Sequence, residues 1–473
     1  MHVAEKSLKT YHETFRSSPI TITKPLNENN GLVFIAHGFA GSAAIMKPIA
    51  VALAKSGYTT IRYDFRGHGK HPLPYSGEVT NVTGATRLFL NDTDAIIKHY
   101  INLSSHSKAV LIGHSMASDI IFRAANLNNS ISGAIGISSY TDVISDTSPK
   151  NVLILNGEWE SRLRRKALKT LKELGITAPS ENVTYGTFES ETARRTSAIK
   201  NVGHFGVLYS PETQFKIISW VDKVYGASRP MAENYIGAWT GILLASLFIS
   251  FCIFTQTLKK TTGIQVELTF RKLFIGNLVA AVITPAVLYF SLIDFVRFPA
   301  HNYLINHLFL YSLTLSFFLP IRELSVSWKP HYFVISGTLF AFFALVLGGI
   351  IDSYISTFSL TNSRLKLFFL LIIVCVPLML VIQTIYQAKK GRLLMGNITK
   401  SCLVLSLVVP ISLNFVDFFL LGYAIFLIIC FFIVFGFLSN LLSSRIGNIF
   451  PIGLTNGITL AWTLSTALPL YIP

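Results

Sequence analysis

Ser115 stands in Gly113-His114-Ser115-Met116-Ala117, directly after the apolar run Ala109 to Ile112 and ahead of a helix-like apolar pattern over Ala117 to Ala125. Strand, sharp turn and helix are the setting in which a nucleophilic serine projects its hydroxyl from a Gly-x-Ser-x-Gly elbow. Here Ala117 occupies the final glycine position, adding one methyl group where the turn packs tightly. A serine hydroxyl is a poor nucleophile at neutral pH, so it needs a base, and the base needs a third group to orient it. The candidate base is His204, in Asn201-Val202-Gly203-His204-Phe205-Gly206, followed by a last helix over residues 211 to 225. The candidate acid is Glu160, in Asn156-Gly157-Glu158-Trp159-Glu160 behind the apolar run Val152 to Leu155, with Glu158 and Asp142 as rivals. Serine, acid and histidine then stand in that order along the chain.

An acyl-transfer site must also stabilise an oxyanion, and backbone N–H groups are suited to it. The small residues of His37-Gly38-Phe39-Ala40-Gly41 make the Phe39 N–H one candidate donor, and the Met116 N–H after the nucleophile is the other. Singly, these features are weak, since a Gly-x-Ser-x-small match arises by chance and a lone loop histidine is more often solvated than catalytic. Together they occur in order, each at the end of a predicted strand.

Those strands are short runs expected to be buried on both faces. They are Gly31 to Ala36, Tyr58 to Tyr63, Ala109 to Ile112, Gly133 to Ile137 and Val152 to Leu155. Stretches such as 46–56 and 117–125 separate them and have the length of crossover helices. Alternating strands and helices predict a mostly parallel α/β sheet with its site at the carboxyl ends of the strands. Asp64, Arg66 and His68, after the second run, are expected to shape a loop, and Asp119 to sit on a helix surface. The cluster Arg162, Arg164, Arg165, Lys166, Lys169 and Lys172 reads as a solvated helix face, or more sharply as a contact for anionic lipid headgroups.

Composition divides the chain. Of 473 residues, 51% are hydrophobic and 14% charged, which excludes a disordered or fibrous protein. Residues 1–230 hold 26 basic and 18 acidic side chains, whereas residues 231–473 hold 14 and 6. The net charge of +16 is therefore +8 in each part. The expected domains are an α/β-hydrolase domain over 1–230 and an all-α transmembrane domain over 231–473, joined by a hinge at 226–230. Apolar stretches near 236–256, 273–293, 303–320, 332–351, 367–386, 402–414, 417–439 and 449–471 predict seven or eight crossings. The 402–414 stretch, short and carrying Pro410, reads as a re-entrant or broken helix. Asn277, Gln383, Asn414 and Asn456 are expected to serve helix–helix hydrogen bonding, and Asp294, Asp352 and Asp417 to lie at helix ends.

With eight crossings, the odd loops hold eleven basic residues and the even loops three. This places the first loop inside and the hydrolase domain outside. Export requires a signal, and residues 1–30 contain no apolar core for one, so an N-terminal signal anchor preceding this chain is expected.

Residues 31–225 resemble an α/β-hydrolase of the esterase, lipase and serine aminopeptidase-like kind. The resemblance is carried by His37 to Gly41, Tyr63-Asp64-Phe65-Arg66-Gly67-His68-Gly69, Gly113 to Ile120, the Asn156 to Glu160 stretch and Val202 to Gly206. With Thr192 to Arg195, Gly206 to Pro211 and the polytopic tail, the chain is similar to bacterial membrane-bound α/β-hydrolases. The resemblance implies Ser115, Glu160 and His204 as the triad, with Phe39 and Met116 at the oxyanion hole.

The expected function is a membrane-tethered serine hydrolase cleaving an ester, with acyl lipids and amphiphiles among its substrates. Alternatives are an acyltransferase or serine peptidase using the same triad, and a transporter or channel with a regulatory hydrolase fold. No cofactor, metal or nucleic-acid partner is expected; the partners are a lipid bilayer and a small-molecule or lipid ester. The expected location is the bacterial inner membrane, with the hydrolase domain on the periplasmic side.

Overall fold

The computed structural model describes residues 8–26, 29–77, 82–227, 235–261, 267–319, 329–388 and 391–472. The hinge residues Ser228 to Pro230 and the loop cations Arg322, Lys389 and Lys390 lie outside these. The chain divides into two compact units, residues 1–243 with 352–357, and residues 244–351 with 358–473.

The first unit is built on a nine-stranded sheet. Its strands are β1 (Leu8–Phe15), β2 (Ser18–Pro25), β3 (Leu32–Ala36), β4 (Thr59–Tyr63), β5 (Ala109–His114), β6 (Ile131–Ile137), β7 (Val152–Gly157), β8 (Thr184–Tyr185) and β9 (Arg194–Ile199). Their spatial order is β1-β2-β4-β3-β5-β6-β7-β9-β8. The six strands from β4 to β9 in that order are mutually parallel. The antiparallel strands β1, β2 and β8 finish the edges. All five predicted runs are strands, while the N-terminal hairpin and β9 went unread. Alternating polar residues give β1 and β2 no continuous apolar run, and Arg194-Arg195-Thr196-Ser197 looks like surface although most of it is buried. Its burial follows from pairing along its length with β7.

The unit's helices are α1 (Lys47–Lys55), α2 (Ala85–Leu103), α3 (Met116–Leu127), α4 (Ser161–Glu173) and α5 (Pro211–Tyr225). A core forms where Val33, Ile35, Val110, Ile112, Ile135, Ile137, Leu153 and Leu155 meet Ile49 and Leu53 of α1 and Ile217, Trp220 and Val221 of α5. Every second strand residue contributes to it, as the two-residue period of a strand requires. The sheet is fixed from within, and the loops at the carboxyl ends of β3, β5, β6, β7 and β9 all emerge along one edge.

The second unit is helical. Among the described residues its helices are α6 (Ile236–Thr257), which begins in the first unit, α7 (Phe270–Phe290), α8 (Pro299–Ser316), α9 (Pro330–Tyr354), α10 (Asn362–Ile385), α11 (Arg392–Leu413), α12 (Phe415–Ser443) and α13 (Ile449–Ala467). Six of them, all but α8 and α13, are long and apolar enough to cross a membrane.

Three expectations change here. The described residues hold six candidate spans where the sequence predicts seven or eight crossings, the 449–471 stretch forming α13, which is not among them. The 402–414 stretch is not a short segment but the second half of the 22-residue α11. The polar turn before it is helical because Thr399 and Lys400 find partners, the Lys400 ammonium donating to the Tyr386 hydroxyl at 2.6 Å. The 303–320 stretch falls mostly within α8, which is too polar to qualify as a span. Its His301, Asn302, Asn306 and His307 are buried, and it packs against α7, α10 and α12. Asn277 of α7 donates to the Thr399 hydroxyl at 3.0 Å and accepts from the Tyr311 hydroxyl at 3.0 Å. His307 bonds the Ser406 hydroxyl at 2.8 Å. These bonds tie α7, α8 and α11 together where apolar packing alone discriminates poorly between registers.

Candidate active site

Three sheet-edge loops bring Ser115, His204 and Glu160 into one hydrogen-bonded line. Ser115 follows β5 and adopts φ 53° and ψ −119°, a conformation rare for any residue but glycine, before α3 starts at Met116. The elbow is held by the Ser115 N–H donating to the Ile137 carbonyl at 2.8 Å and by the Ser118 hydroxyl donating to the Ser115 carbonyl at 2.6 Å. The Ala117 methyl is fully buried, so the turn accommodates it.

His204 Nε2 lies 3.0 Å from Ser115 Oγ, and its Nδ1 lies 2.7 Å from Glu160 Oε1. The carboxylate can only accept, so Nδ1 carries the proton and Nε2 is left to accept from the serine. The other carboxylate oxygen of Glu160 accepts from the Gly157 N–H at 2.6 Å and the Ser138 hydroxyl at 2.8 Å. Burial pushes the Glu160 carboxyl upward, but the bonds from His204, Gly157 and Ser138 prevail and hold it below the ordinary carboxylate range. Its side chain is 8% exposed against 39% for His204, the arrangement of a fixed anion behind an accessible imidazole.

The rival acids are engaged elsewhere. Glu158 accepts from the Asn201 N–H at 2.8 Å, and Asp142 pairs with Lys166. Asp119 bonds Arg123 and the Thr141 hydroxyl, which makes it a helix-surface residue.

Gly157 makes the acid–base contact possible. A Cβ there would stand 2.5 Å from the Val202 carbonyl oxygen, so only glycine lets the His204 loop close against the end of β7. The loop from His37 to Gly41, expected to carry an oxyanion donor, approaches by the same device. A Cβ on Gly38 would be 3.0 Å from Ser115 Cβ, which sets Phe39 beside the elbow. Met116 occupies the first position of α3, where N–H groups have no partner inside the helix and the helix dipole favours negative charge.

The loop after β4 supports this corner. Asp64 accepts from the Ala43 N–H at 2.7 Å and the Lys70 N–H at 2.8 Å. Arg66 forms a two-bond pair with Asp92 at 2.6 and 3.1 Å. His68 bonds the Arg66 carbonyl at 2.8 Å. His37 accepts from the Phe65 N–H at 3.1 Å and bonds the Gly38 carbonyl at 2.8 Å.

Two residues of the site were not foreseen. Ser138, with φ 50° at the end of β6, clamps Glu160; an unremarkable Ser-Ser pair in the sequence gives no signal for it. His114 lies buried under the elbow, and its Nε2 donates to the His204 carbonyl at 3.0 Å. Burial first, then the neighbouring His204, lowers its pKa to about 3, so it is a neutral donor that fixes the loop carrying the base.

A mostly parallel sheet flanked by helices, with a serine at a strained elbow after its central strand and an acid and a histidine on later loops, gives this unit the α/β-hydrolase fold. Residues 27–196 match the family described as serine aminopeptidase, S33. Among solved structures the chain is similar to a lipase in its open form, with 12% identity over 46% of this chain and 99% of that one, at a TM-score of 0.35. It is also similar to a CIB-like hydrolase from Thermoplasma acidophilum, with 14% identity over 45% and 97% at a TM-score of 0.33. A third is a soluble variant of monoglyceride lipase from Saccharomyces cerevisiae, with 14% identity over 46% and 96% at a TM-score of 0.35. No curated protein matches the chain.

Proposed function

We propose that this protein is a membrane-tethered serine hydrolase that cleaves a carboxylic ester through an acyl-Ser115 intermediate. The observation that carries the proposal is the continuous line from Ser115 Oγ through His204 to Glu160, at 3.0 and 2.7 Å. In the first half-reaction Ser115 Oγ attacks the ester carbonyl carbon while its proton passes to His204 Nε2. Glu160 stabilises the imidazolium without taking its proton. The Phe39 and Met116 N–H groups receive the charge that develops on the carbonyl oxygen. Collapse of the tetrahedral adduct breaks the bond to the alcohol oxygen, which takes the proton from His204. Water then repeats the sequence on the acyl-serine, giving Ser115 and a carboxylic acid.

An apolar acyl group suits the rim of the site. Trp159 and Phe205, beside Glu160 and His204, are 72% and 54% exposed. The description of the matching family as an aminopeptidase supports an amide as a second substrate class. Against it, Glu158 and Asp142, the carboxylates considered beside Glu160, are already bonded, whereas an α-ammonium group calls for a carboxylate able to receive it.

The test compares hydrolysis of p-nitrophenyl esters of increasing chain length with aminoacyl amides, in wild type and Ser115→Ala. Ester turnover that rises with acyl length and disappears in the variant supports the proposal. Turnover of amides alone would replace it with the peptidase reading. A chain whose biological phenotype survives Ser115→Ala would support a regulatory hydrolase fold on a transporter or channel.

For the second unit we propose an integral anchor in a bacterial inner membrane, with the hydrolase unit on the periplasmic face. Six apolar helices support the anchor; the periplasmic side rests on the eleven-to-three loop asymmetry, which counts all eight apolar stretches as crossings.

A further inference from the structure

Helix α4 begins one residue after Glu160 and carries Arg162, Arg165, Lys169 and Lys172, all exposed. At 3.6 residues per turn these four fall within a sector of about 80° on one side of the helix. The remaining cations of the helix are spent within the unit: Arg164 is held by both oxygens of Glu181 at 2.9 Å, and Lys166 pairs with Asp142. On the exposed stripe, Lys169 has the solvent-facing Glu173 at 3.5 Å. Arg162, Arg165 and Lys172 have no acidic partner among the described residues.

Directly before this helix, Trp159 lays its ring against Gly203, a Cβ there standing 3.5 Å from the indole. Phe205, on the other side of His204, is likewise exposed. Tyr140, 53% exposed, lies under Lys166, whose ammonium is 5.8 Å from the ring centre. Aromatic rings and the first turn of a cationic stripe, in which only Lys169 has an acidic neighbour, therefore meet at one rim of the site, and the stripe extends from there about 15 Å along α4.

We infer that this rim is a docking surface for a bilayer rich in anionic phospholipid, with Trp159 and Phe205 at headgroup depth and Arg162, Arg165, Lys169 and Lys172 on the phosphates. Charge complementarity identifies the partner, because clustered Lys and Arg beside a membrane are drawn to its negative surface. The aromatics distinguish it from nucleic acid or an acidic protein, since Trp settles at the interface between headgroups and acyl chains. The same chain carries six helices apolar enough to enter lipid. Docking by this rim would present His204 and Ser115 to amphiphiles leaving the lipid surface. The inference rests on the membrane assignment proposed above and not on the chemistry of the triad.

The test reconstitutes the full chain in phosphatidylcholine vesicles carrying either brominated phosphatidylglycerol or brominated phosphatidylcholine, and measures tryptophan quenching. The contribution of Trp159 is the difference between wild type and Trp159→Phe. Quenching of that contribution at least twofold stronger with brominated phosphatidylglycerol is expected. The preference should vanish when Arg162, Arg165, Lys169 and Lys172 are all replaced by Gln. Absence of Trp159 quenching by either lipid would overturn the inference, as would equal quenching by both that the four substitutions leave unchanged. Labelling of the same vesicles with a fluorophosphonate reports the triad separately, so a failure of docking and a failure of the catalytic reading cannot be confused.

Discussion

At the scale of single residues, the site depends on groups that hold the triad as much as on the triad. Glu160→Gln keeps the shape of the acid but turns one carboxylate oxygen into an NH2 donor, so it cannot accept from His204 and from Gly157 and Ser138 at once, and it removes the charge that stabilises the imidazolium. The expected result is a fall in kcat of roughly 10³- to 10⁴-fold with KM little changed, measured on the best p-nitrophenyl ester. Ser138→Ala removes one of three bonds to the same carboxylate and should cost far less, about tenfold in kcat.

His114 makes a prediction about pH. It stays neutral in the fold down to about 3, whereas in the unfolded chain it takes a proton near the ordinary histidine value of about 6.5. Between these values the unfolded state binds the extra proton, so stability falls as pH falls through that window, by at most about 1.4 kcal/mol per pH unit from this group. Glu160 adds to the loss only at lower pH, because its depressed pKa makes its contribution complete above the ordinary carboxylate value. His114→Gln retains a donor for the His204 carbonyl but does not titrate. Its thermal unfolding in detergent between pH 7.5 and 5 should show a shallower decline than wild type, with the remaining slope shared by buried His37, which burial also keeps neutral. Identical slopes in the two proteins would contradict this role.

At the scale of elements, the sequence was most legible where both faces of a strand are apolar. The runs at 31–36, 58–63, 109–112, 133–137 and 152–155 announce buried parallel strands, and each motif sits at a strand end because turn chemistry and glycine spacing are local. What escaped reading is what depends on partners distant in the chain. Strand β9 is polar by composition and buried by pairing. Helix α8 is polar because His307 is satisfied by Ser406 of α11 and Asn302 and Asn306 by the loop before the helix, where Asn302 donates to Asp294 at 3.0 Å. The choice of Glu160 over Glu158 and Asp142 is a matter of angle at the start of α4, which spacing alone leaves open. Gly157→Ala tests this level. A methyl group 2.5 Å from the Val202 carbonyl must push the β7 end and the His204 loop apart. A loss of about 1–3 kcal/mol in stability and a larger proportional loss in kcat than in KM are expected, read from unfolding and from ester kinetics.

At the scale of the whole molecule, the charge count separates into two meanings. In the first unit much of it is paired on an enzyme surface, Arg66 with Asp92 and Arg164 with Glu181, leaving the α4 stripe with an acidic neighbour only at Lys169. In the second, Lys259, Lys260, Arg297, Lys329 and Arg445 lie between the described helices, whereas Arg271, Lys272, Arg364, Lys366, Arg392 and Lys400 lie within them. Reporter fusions near residue 20 and near residue 260 of the full-length gene product are expected to show the first outside and the second inside the cytoplasm. A cytoplasmic result for the first fusion would overturn the periplasmic placement while leaving the hydrolase reading intact.

The central claim is that Ser115 is an activated nucleophile, and it is tested most directly by a fluorophosphonate probe applied to the folded, full-length protein, with the labelled residue located by mass spectrometry. The geometry predicts stoichiometric labelling of Ser115, slowed strongly in Glu160→Gln and absent in Ser115→Ala. A folded wild type that remains unlabelled, or a label that persists on another serine in Ser115→Ala, would contradict it.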